Sequence, residues 1–416
     1  MERGPGMRAE SMRRALPPLV EPGAPLPPAR AARFARHVTL PGVGAEGQRR
    51  IANARILVIG AGGLGAPTIQ YLAAAGVGRL TIVDDDVVER TNLQRQVLHR
   101  EEDLGRPKAE SARDAVRRLD AAIDARAIVD RLSPDNALDL FADHDLVLDG
   151  TDNFATRYLS NDAAELTGTP LVWGTILRFE GHASVFWPGR GPMLRDVFPD
   201  IPDADSMPSC AEGGVFGVLC GSIGSAMATE ALKLVCGIGK PLVGRLLRYD
   251  ALEAAWSELR FAADPDREPV SSLEEVAVAC RAAAAPKGAR PDDISAAEVA
   301  ARLAAATDAE SFSADADQEA RSGLIVVDVR EGWEREIASI PGSRHVPLAR
   351  VLEEGWLAIE RELGSLAVDG RDVVVACQAG VRSARAIDAL AASAPASASL
   401  RNLAGGVDAW RTEVFK

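Results

Sequence analysis

Residues 54–86 read ARILVIGAGGLGAPTIQYLAAAGVGRLTIVDDD, and this stretch decides the fold of the first half of the chain. A β-rich run from Arg55 enters a glycine turn, an Ala-rich helical stretch follows, and a second β-rich run ends in aspartates at Asp84–Asp86. That pattern is a βαβ unit. The alternation continues with a helical segment after Pro107, a strand near Ala127–Asp130, a short helix and the strand DLVLDGTD at Asp145–Asp152. It predicts an α/β fold with a Rossmann-like, doubly wound parallel sheet. The runs LVWGTI and HASVF predict further strands, and the Pro- and Gly-rich stretch from Pro188 to Gly213 predicts a long loop over the site. Residues from Gly217 to Val235 are apolar almost all round and predict a buried core helix rather than a membrane span.

The chain has 416 residues, too many for one ordinary core, and its weak points of pattern suggest four segments. Residues 1–30, mixing Arg with Pro and Gly, predict a disordered arm. A first domain spans 31–263, a linker 264–291, and a smaller α/β domain 292–416, which carries an acidic insertion at 308–319. A formal net charge of −13 argues against nucleic acid as a partner. No signal peptide or membrane span is indicated, so a cytoplasmic protein is expected. The cysteines, at 210, 220, 236, 280 and 377, are odd in number and include no C-x-x-C pair, which implies neither a disulfide framework nor a zinc ribbon.

Gly60, Gly62 and Gly65, with Gly63 between them, form G-x-G-x-x-G between strand and helix, where phosphate can approach backbone N–H groups. Asp84 then stands where a ribose-binding acid would, and on the loop alone an NAD site fits as well as an ATP site. The residues downstream favour a triphosphate. Asn92 and Arg95, in TNLQRQ, and Lys108, in GRPK, bring two cations and an amide to the same crevice. Asp152, at the end of a strand, suits a magnesium ion that completes its shell with phosphate oxygens.

Together RFARHVTLPGVGAEGQ, GAGGLGAP, IVDDDVVERTNLQRQ, GRPKAES, DLVLDGTDNFATR and PSCAEGGVFG make residues 33–262 resemble the ThiF/MoeB adenylating enzymes, relatives of the ubiquitin-activating enzymes. By that resemblance Asp84 would hold the ribose, Asn92, Arg95 and Lys108 the phosphates, and Asp152 the Mg ion. Arg36 would reach the nucleotide of a second copy, implying a homodimer. Cys210 would meet the activated partner as a thioester or acyl persulfide. Many members bind zinc through two C-x-x-C pairs, but here the matching segments read GPMLRDVFP and DPDREPVSS. No zinc is therefore expected, a pattern that resembles the MoeZ type.

In the second domain the strand DVVVAC delivers Cys377 to the turn QAGVRS, ahead of a helical stretch. Loop N–H groups and the helix dipole would converge on the sulfur and favour an anion there. The ring from Cys377 to Arg382 is tight enough to favour sulfur over a phosphoryl group. With LIVVDVREGWE, IPGSRHVPL and NLAGGVDAW, this loop makes residues 292–416 resemble a rhodanese domain. The order of the two resemblances implies ATP-dependent adenylation of the Gly-Gly C-terminus of a ubiquitin-like sulfur-carrier protein. Sulfur would follow from a Cys377 persulfide, loaded by a persulfide or thiosulfate donor. Such fusions serve molybdopterin, thiamine, cysteine or tRNA-thiolation pathways. Two alternatives are an NAD-dependent oxidoreductase with an accessory rhodanese module and a non-catalytic scaffold for sulfur carriers. His37, His99, His144, His182 and His345 show no metal-ligand spacing and are assigned no catalytic role.

Overall fold

The computed structural model of the chain describes residues 16–202, 214–284, 293–307, 324–363 and 372–414. Two compact units are present, Met1–Ala284 and Ala285–Lys416.

In the first unit, strands β1 (Arg55–Ile59), β2 (Arg79–Val83), β3 (Asp124–Ile128), β4 (Leu146–Asp149), β5 (Leu171–Leu177), β6 (Glu180–Phe186), β7 (Arg245–Asp250) and β8 (Ala255–Arg260) form one sheet, ordered β3-β2-β1-β4-β5-β6-β7-β8. Pairing is parallel from β3 to β5, as the alternation of strand and helix requires. It turns antiparallel from β5 to β8. The reason is connection length: only Arg178 and Phe179 separate β5 from β6, too few for a crossover. The chain winds from β1 outward through β2 to β3, then returns to place β4 on the other side of β1. A crevice opens where the order reverses, beyond the C-terminal ends of β1 and β4.

Helices cover both faces of this sheet. On one face, helix α1 (Gly65–Ala75) crosses helix α2 (Gly217–Cys236) closely. A Cβ on Gly224 would lie 2.4 Å from Pro67 Cγ and 2.8 Å from the Leu64 carbonyl, so glycine sets the separation of the two helices. Helix α2 is long and apolar enough to cross a membrane, yet Leu219, Ile223, Met227, Ala231 and Leu234 are buried in the core against α1 and β5–β6. The opposite face is packed by Phe141, Leu159, Trp173 and Phe186.

Two expected segment boundaries are corrected. The stretch 16–30, expected to belong to a disordered arm, packs on the first unit. Val20 is buried, Leu19 N–H donates to the Leu234 carbonyl at 3.0 Å, and Arg30 pairs with Asp120 at 2.5–2.6 Å. Apolar residues spaced between prolines lack a helical or strand period, but an extended segment can still bury them. Residues 1–15 lie outside the described residues.

The linker reading of 264–291 also fails over most of its length. Helix α3 (Glu274–Ala284) lies on helix Phe154–Thr167, with Val276 fully buried. Upstream of it, Arg267 donates to Asp196 at 2.8 Å and to Glu165 at 3.1 Å. That ion pair joins the two segments, around Met193–Asp196 and 264–272, where zinc-binding members of the family would carry their cysteine pairs.

The second unit carries β9 (Asp293–Ile294), β10 (Leu324–Asp328), β11 (Arg344–His345), β12 (Asp372–Ala376) and β13 (Ser399–Leu403), ordered β11-β10-β12-β13-β9 and parallel throughout. Separate apolar clusters fill its two faces, Ile325, Val373 and Ile387 on one and Ile294, Val374 and Trp410 on the other. Strand β12 at the centre ends at Ala376, which leaves Cys377 at the rim of the sheet, before helix α4 (Val381–Ala391). The 308–319 insertion lies outside the described residues.

Candidate active sites

In the first unit a cavity of about 390 Å³ occupies the crevice. Its floor is the glycine loop. Gly60 holds φ at +88°, and a Cβ on Gly65 would stand 1.9 Å from the Gly60 carbonyl oxygen, so the loop closes on itself only with glycine there. Gly62 and Gly63 line the cavity, as do Asp84, Asn92, Arg95, Lys108 and Asp152. The sequence candidates for this site are thus brought together, with two exceptions. Arg36 is exposed and does not line the cavity of its own chain, and Cys210 lies outside the described residues.

Each of these side chains is held. Asp84 accepts the Ala61 N–H at 2.7 Å and the Asp86 N–H at 2.9 Å. Burial pushes its carboxyl above the ordinary range, against those N–H groups and the Lys108 charge, which pull it down. Lys108 Nζ donates to Asp86 Oδ2 at 2.8 Å, with the lysine nearly buried and the aspartate largely exposed. The aspartate keeps the ammonium oriented in the cavity. Arg95 donates to the Thr91 carbonyl at 3.1 Å, and Asn92 accepts the Glu89 N–H at 3.2 Å. Asp152 stands exposed in the loop after β4. That loop is fixed on both sides. Asn153 caps the following helix through the Thr156 N–H at 2.8 Å, and the guanidinium of Arg157 donates to the Thr151 carbonyl at 3.0 and 3.2 Å.

Sequence reasoning missed several residues here. His99 is buried between Ser111 Oγ at 2.8 Å and the Ala61 carbonyl at 2.9 Å. Burial lowers its pKa, against the Ala61 bond; Nε2 donates to the Ala61 carbonyl, and Nδ1 faces Ser111 Oγ, which also bonds the Asp103 carboxylate. His99 braces the glycine loop. A lone histidine carries no sequence signal for such a role. Gln96 lines the cavity while its buried Oε1 lacks a hydrogen-bond partner among the described residues, an acceptor that a ligand donor would satisfy. Gln96 closes the motif TNLQRQ and Arg157 the motif DLVLDGTDNFATR, but nothing in their spacing separates them from scaffold.

Around Cys377 the geometry is closed. Cys377 is 1% exposed, and its sulfur accepts the Gly380 N–H at 3.1 Å, with Ser383 Oγ at 3.3 Å. Gly380 adopts φ +91° ahead of helix α4, turning its N–H inward. The Cys377 carbonyl accepts from the Val407 N–H and the Gln378 carbonyl from the Asp408 N–H, so the start of helix Gly406–Val414 anchors the loop from behind. Arg382, the arginine of the catalytic loop and a catalytic candidate from the sequence, forms a bidentate pair with Glu334 at 2.6 and 2.7 Å. Burial opposes ionisation of Glu334, but Arg382 and the Glu331 N–H more than offset it and hold the carboxyl below the usual range. Arg330, fully buried, pairs with Asp328 and reaches Gln378 Oε1 at 3.1 Å. The arginines of the loop and of the adjacent strand end are therefore paired with carboxylates. Glu334, in VREGWE, Ser383, in QAGVRS, and Asn402, in NLAGG, lie inside recognisable motifs, yet the sequence assigns none of them a role.

The sequence pattern of the ThiF family matches residues 34–270, and that of the rhodanese-like domain matches residues 308–413. The chain belongs to the ThiF family. Among its relatives is the probable adenylyltransferase/sulfurtransferase MoeZ of Mycobacterium tuberculosis, 45% identical over 414 residues that cover 97% of this chain and 98% of that protein. Another is the sulfur carrier protein adenylyltransferase of Thermus thermophilus, 50% identical over 247 residues, covering 58% of this chain and 91% of that one. The crystal structure of Escherichia coli MccB with MccA-N7isoASN shares the fold at a TM-score of 0.52 and 18% identity, over 58% of this chain and 74% of that one. The match to MoeZ thus runs through both the ThiF and the rhodanese domain of this chain. Among the described residues no group of three or more His, Cys, Asp or Glu is arranged to hold a metal ion.

Proposed function

We infer that this ThiF-family chain is an adenylyltransferase and sulfurtransferase that converts the C-terminal carboxylate of a ubiquitin-like sulfur-carrier protein into a thiocarboxylate. The observation that carries this reading is the pairing, in one chain, of a glycine-floored cavity lined by Lys108, Arg95 and Asp84 with a strand-end cysteine whose sulfur accepts an inward N–H. An NAD site needs no cluster of cations, and a scaffold needs neither feature.

In the first step a carboxylate oxygen of the carrier attacks the α-phosphorus of ATP. The bond to the bridging oxygen breaks and pyrophosphate leaves with the electron pair, giving acyl adenylate. Lys108 and Arg95 stabilise the charge that develops on the phosphates, a contribution that grows in a site closed to water. Asp84 would exchange its bond with the Ala61 N–H for the ribose hydroxyls, freeing that N–H for phosphate. Asp152 offers one exposed carboxylate beside the phosphate loop, a donor set that suits Mg²⁺ carried in on the nucleotide. The ion would supply further charge neutralisation on the phosphates. Arg36 would complete the nucleotide site of a second copy in a homodimer.

The second step uses sulfur on Cys377. The outer sulfur of the persulfide attacks the acyl carbonyl, AMP leaves, and an acyl disulfide results. A thiol then breaks its S–S bond, releasing the thiocarboxylate and remaining joined to Cys377 as a disulfide; Cys210 is the candidate for that thiol. The protein works without membrane or nucleic acid, in the cytoplasm, with a persulfide or thiosulfate as donor. ATP–pyrophosphate exchange dependent on a Gly-Gly-ended carrier tests the first step. Exchange that ignores the carrier, or tight NAD binding without exchange, would contradict it.

A further inference from the structure

Four residues of the second unit form a continuous chain of hydrogen bonds ending on the sulfur. Asn402 Nδ2 donates to Asp293 Oδ1 at 2.9 Å, Ser383 Oγ lies 2.6 Å from Asn402 Oδ1, and Cys377 Sγ lies 3.3 Å from Ser383 Oγ. Asp293 and Asn402 are register partners of the parallel strands β9 and β13, so the sheet itself aligns the first link. Ser383 is fully buried, and Cys377 and Asn402 nearly so.

The direction of the chain follows from its donors. A carboxylate accepts only, so Asp293 must face the amide nitrogen of Asn402. The amide oxygen is then turned to Ser383, and the serine spends its single proton on it. What Ser383 presents to the sulfur is a lone pair. A neutral thiol suits that arrangement, because its S–H can donate to Oγ. A bare thiolate does not: Ser383 would have to turn its proton to the sulfur and leave the buried Asn402 oxygen unsatisfied, which costs free energy. A persulfide again suits it, because the charge moves to the outer sulfur and the inner one becomes a neutral divalent atom.

We propose that Asp293, Asn402 and Ser383 form a one-way relay that withholds the serine proton from Cys377, so that the Gly380 N–H is left as the sulfur's donor and the relay itself favours thiol or persulfide over bare thiolate. Ser383 touches the reacting atom, whereas Asn402 and Asp293 are positioning residues acting through it. The relay makes loading favourable: the thiol loses its proton to solvent, the resulting thiolate takes the outer sulfur of the donor, the donor S–S bond breaks, and the donor's leaving group departs with the electron pair. This inference rests on the reading of Cys377 as the sulfur-carrying residue.

Of the charges on elements around the loop, Asp328 pairs with Arg330 and Arg335, Glu334 with Arg382, and Asp408 with Gln378, while Arg385 and Asp388 lie further along helix α4. A mutant cycle leaves all of them unchanged. In the full-length chain, alkylation of Cys377 is followed across pH by peptide mass spectrometry for wild type, Asp293→Asn, Ser383→Ala and the double variant. Asp293→Asn allows the Asn402 amide to turn over and releases the serine proton to the sulfur. Alkylation at neutral pH then speeds up by about two- to tenfold, the range of one hydrogen bond, and the pH midpoint falls. In the Ser383→Ala background the same change at 293 has no effect, and Ser383→Thr restores the sensitivity. Equal profiles for wild type and Asp293→Asn would overturn the relay. So would an effect that persists in Ser383→Ala, since it would be the through-space loss of a charge. Circular dichroism identifies a variant that fails to fold, and Asn402→Asp, which places an acceptor against an acceptor, then serves in its place and must also change the profile. A wild-type Cys377 that takes up no sulfur from thiosulfate or a persulfide would defeat the functional reading, while the alkylation cycle would still decide the relay.

Discussion

The two sites solve opposite problems with the same device, a loop at the C-terminal end of a parallel strand. In the first unit the loop opens onto a cavity whose charges are held in place by weak or exposed partners, as Lys108 is by the largely exposed Asp86. A polyanion can replace those partners. In the second unit the loop closes on one atom. Cys377 is buried, and the neighbouring Arg382 and Arg330 are spent on Glu334 and Asp328. The difference teaches that a strand-end loop fixes only where chemistry occurs. What it accepts depends on whether nearby charges remain exchangeable.

The largest expected effects separate the two sites. Cys377→Ser should abolish thiocarboxylate formation and leave carrier-dependent pyrophosphate exchange intact. Lys108→Ala should lower exchange, and thiocarboxylate formation with it, by about 10²- to 10³-fold, the cost of removing one preorganised charge-stabilising donor, while a persulfide still forms on Cys377. A Lys108 variant that lost both exchange and persulfide loading of Cys377 would break the comparison.

A smaller effect concerns what holds the first unit's loop. Asp196 is almost completely buried against Arg267. Burial pushes its carboxyl up, but the N–H groups of Met193 and Asp264 and the Arg267 guanidinium more than offset this and hold it below the usual range. A carboxylate lowered on folding stabilises the protein above its unfolded pKa, near 4, and that contribution disappears as pH falls through the folded value. Arg267→Ala should therefore cost about 1–3 kcal/mol at neutral pH, and the difference in melting temperature from wild type should shrink in acid. An acid-independent difference would mean that the arginine acts through packing alone.

The smallest expected effect sharpens the contrast at the second site. Glu334→Gln should remove the carboxylate paired with Arg382 and reduce KM for thiosulfate, an anion, by about two- to fivefold, in keeping with a partly screened pair. No change would show that Arg382 lies out of reach of the donor.

Legibility of these features follows their physical origin. The βαβ unit, the glycine loop and Cys377 are readable because periodicity and glycine placement act over a few neighbouring residues. Strand β3 begins at Asp124, ahead of the expected Ala127, since DARAI at an edge is half polar and its apolar signal weak. The packing of 16–30 and of α3 is not readable, because it depends on grooves made by elements far away in the chain. His99, Gln96, Glu334 and Ser383 escape for the same reason: each acquires its role from a partner that the fold supplies. The motif marks Arg382 as a catalytic candidate, and the sequence does not show that Glu334 faces it. Asp196 and Arg267, by contrast, stand at positions singled out only for lacking cysteine, and the ion pair between them emerges only in three dimensions.

The most direct test is intact mass spectrometry of a Gly-Gly-ended carrier incubated with the full-length protein, Mg-ATP and thiosulfate, alongside Cys377→Ser and Asp152→Ala. Replacement of one carrier oxygen by sulfur in the wild type, lost in both variants, is the predicted result; undiminished thiocarboxylate from Cys377→Ser would contradict a sulfur held on that residue.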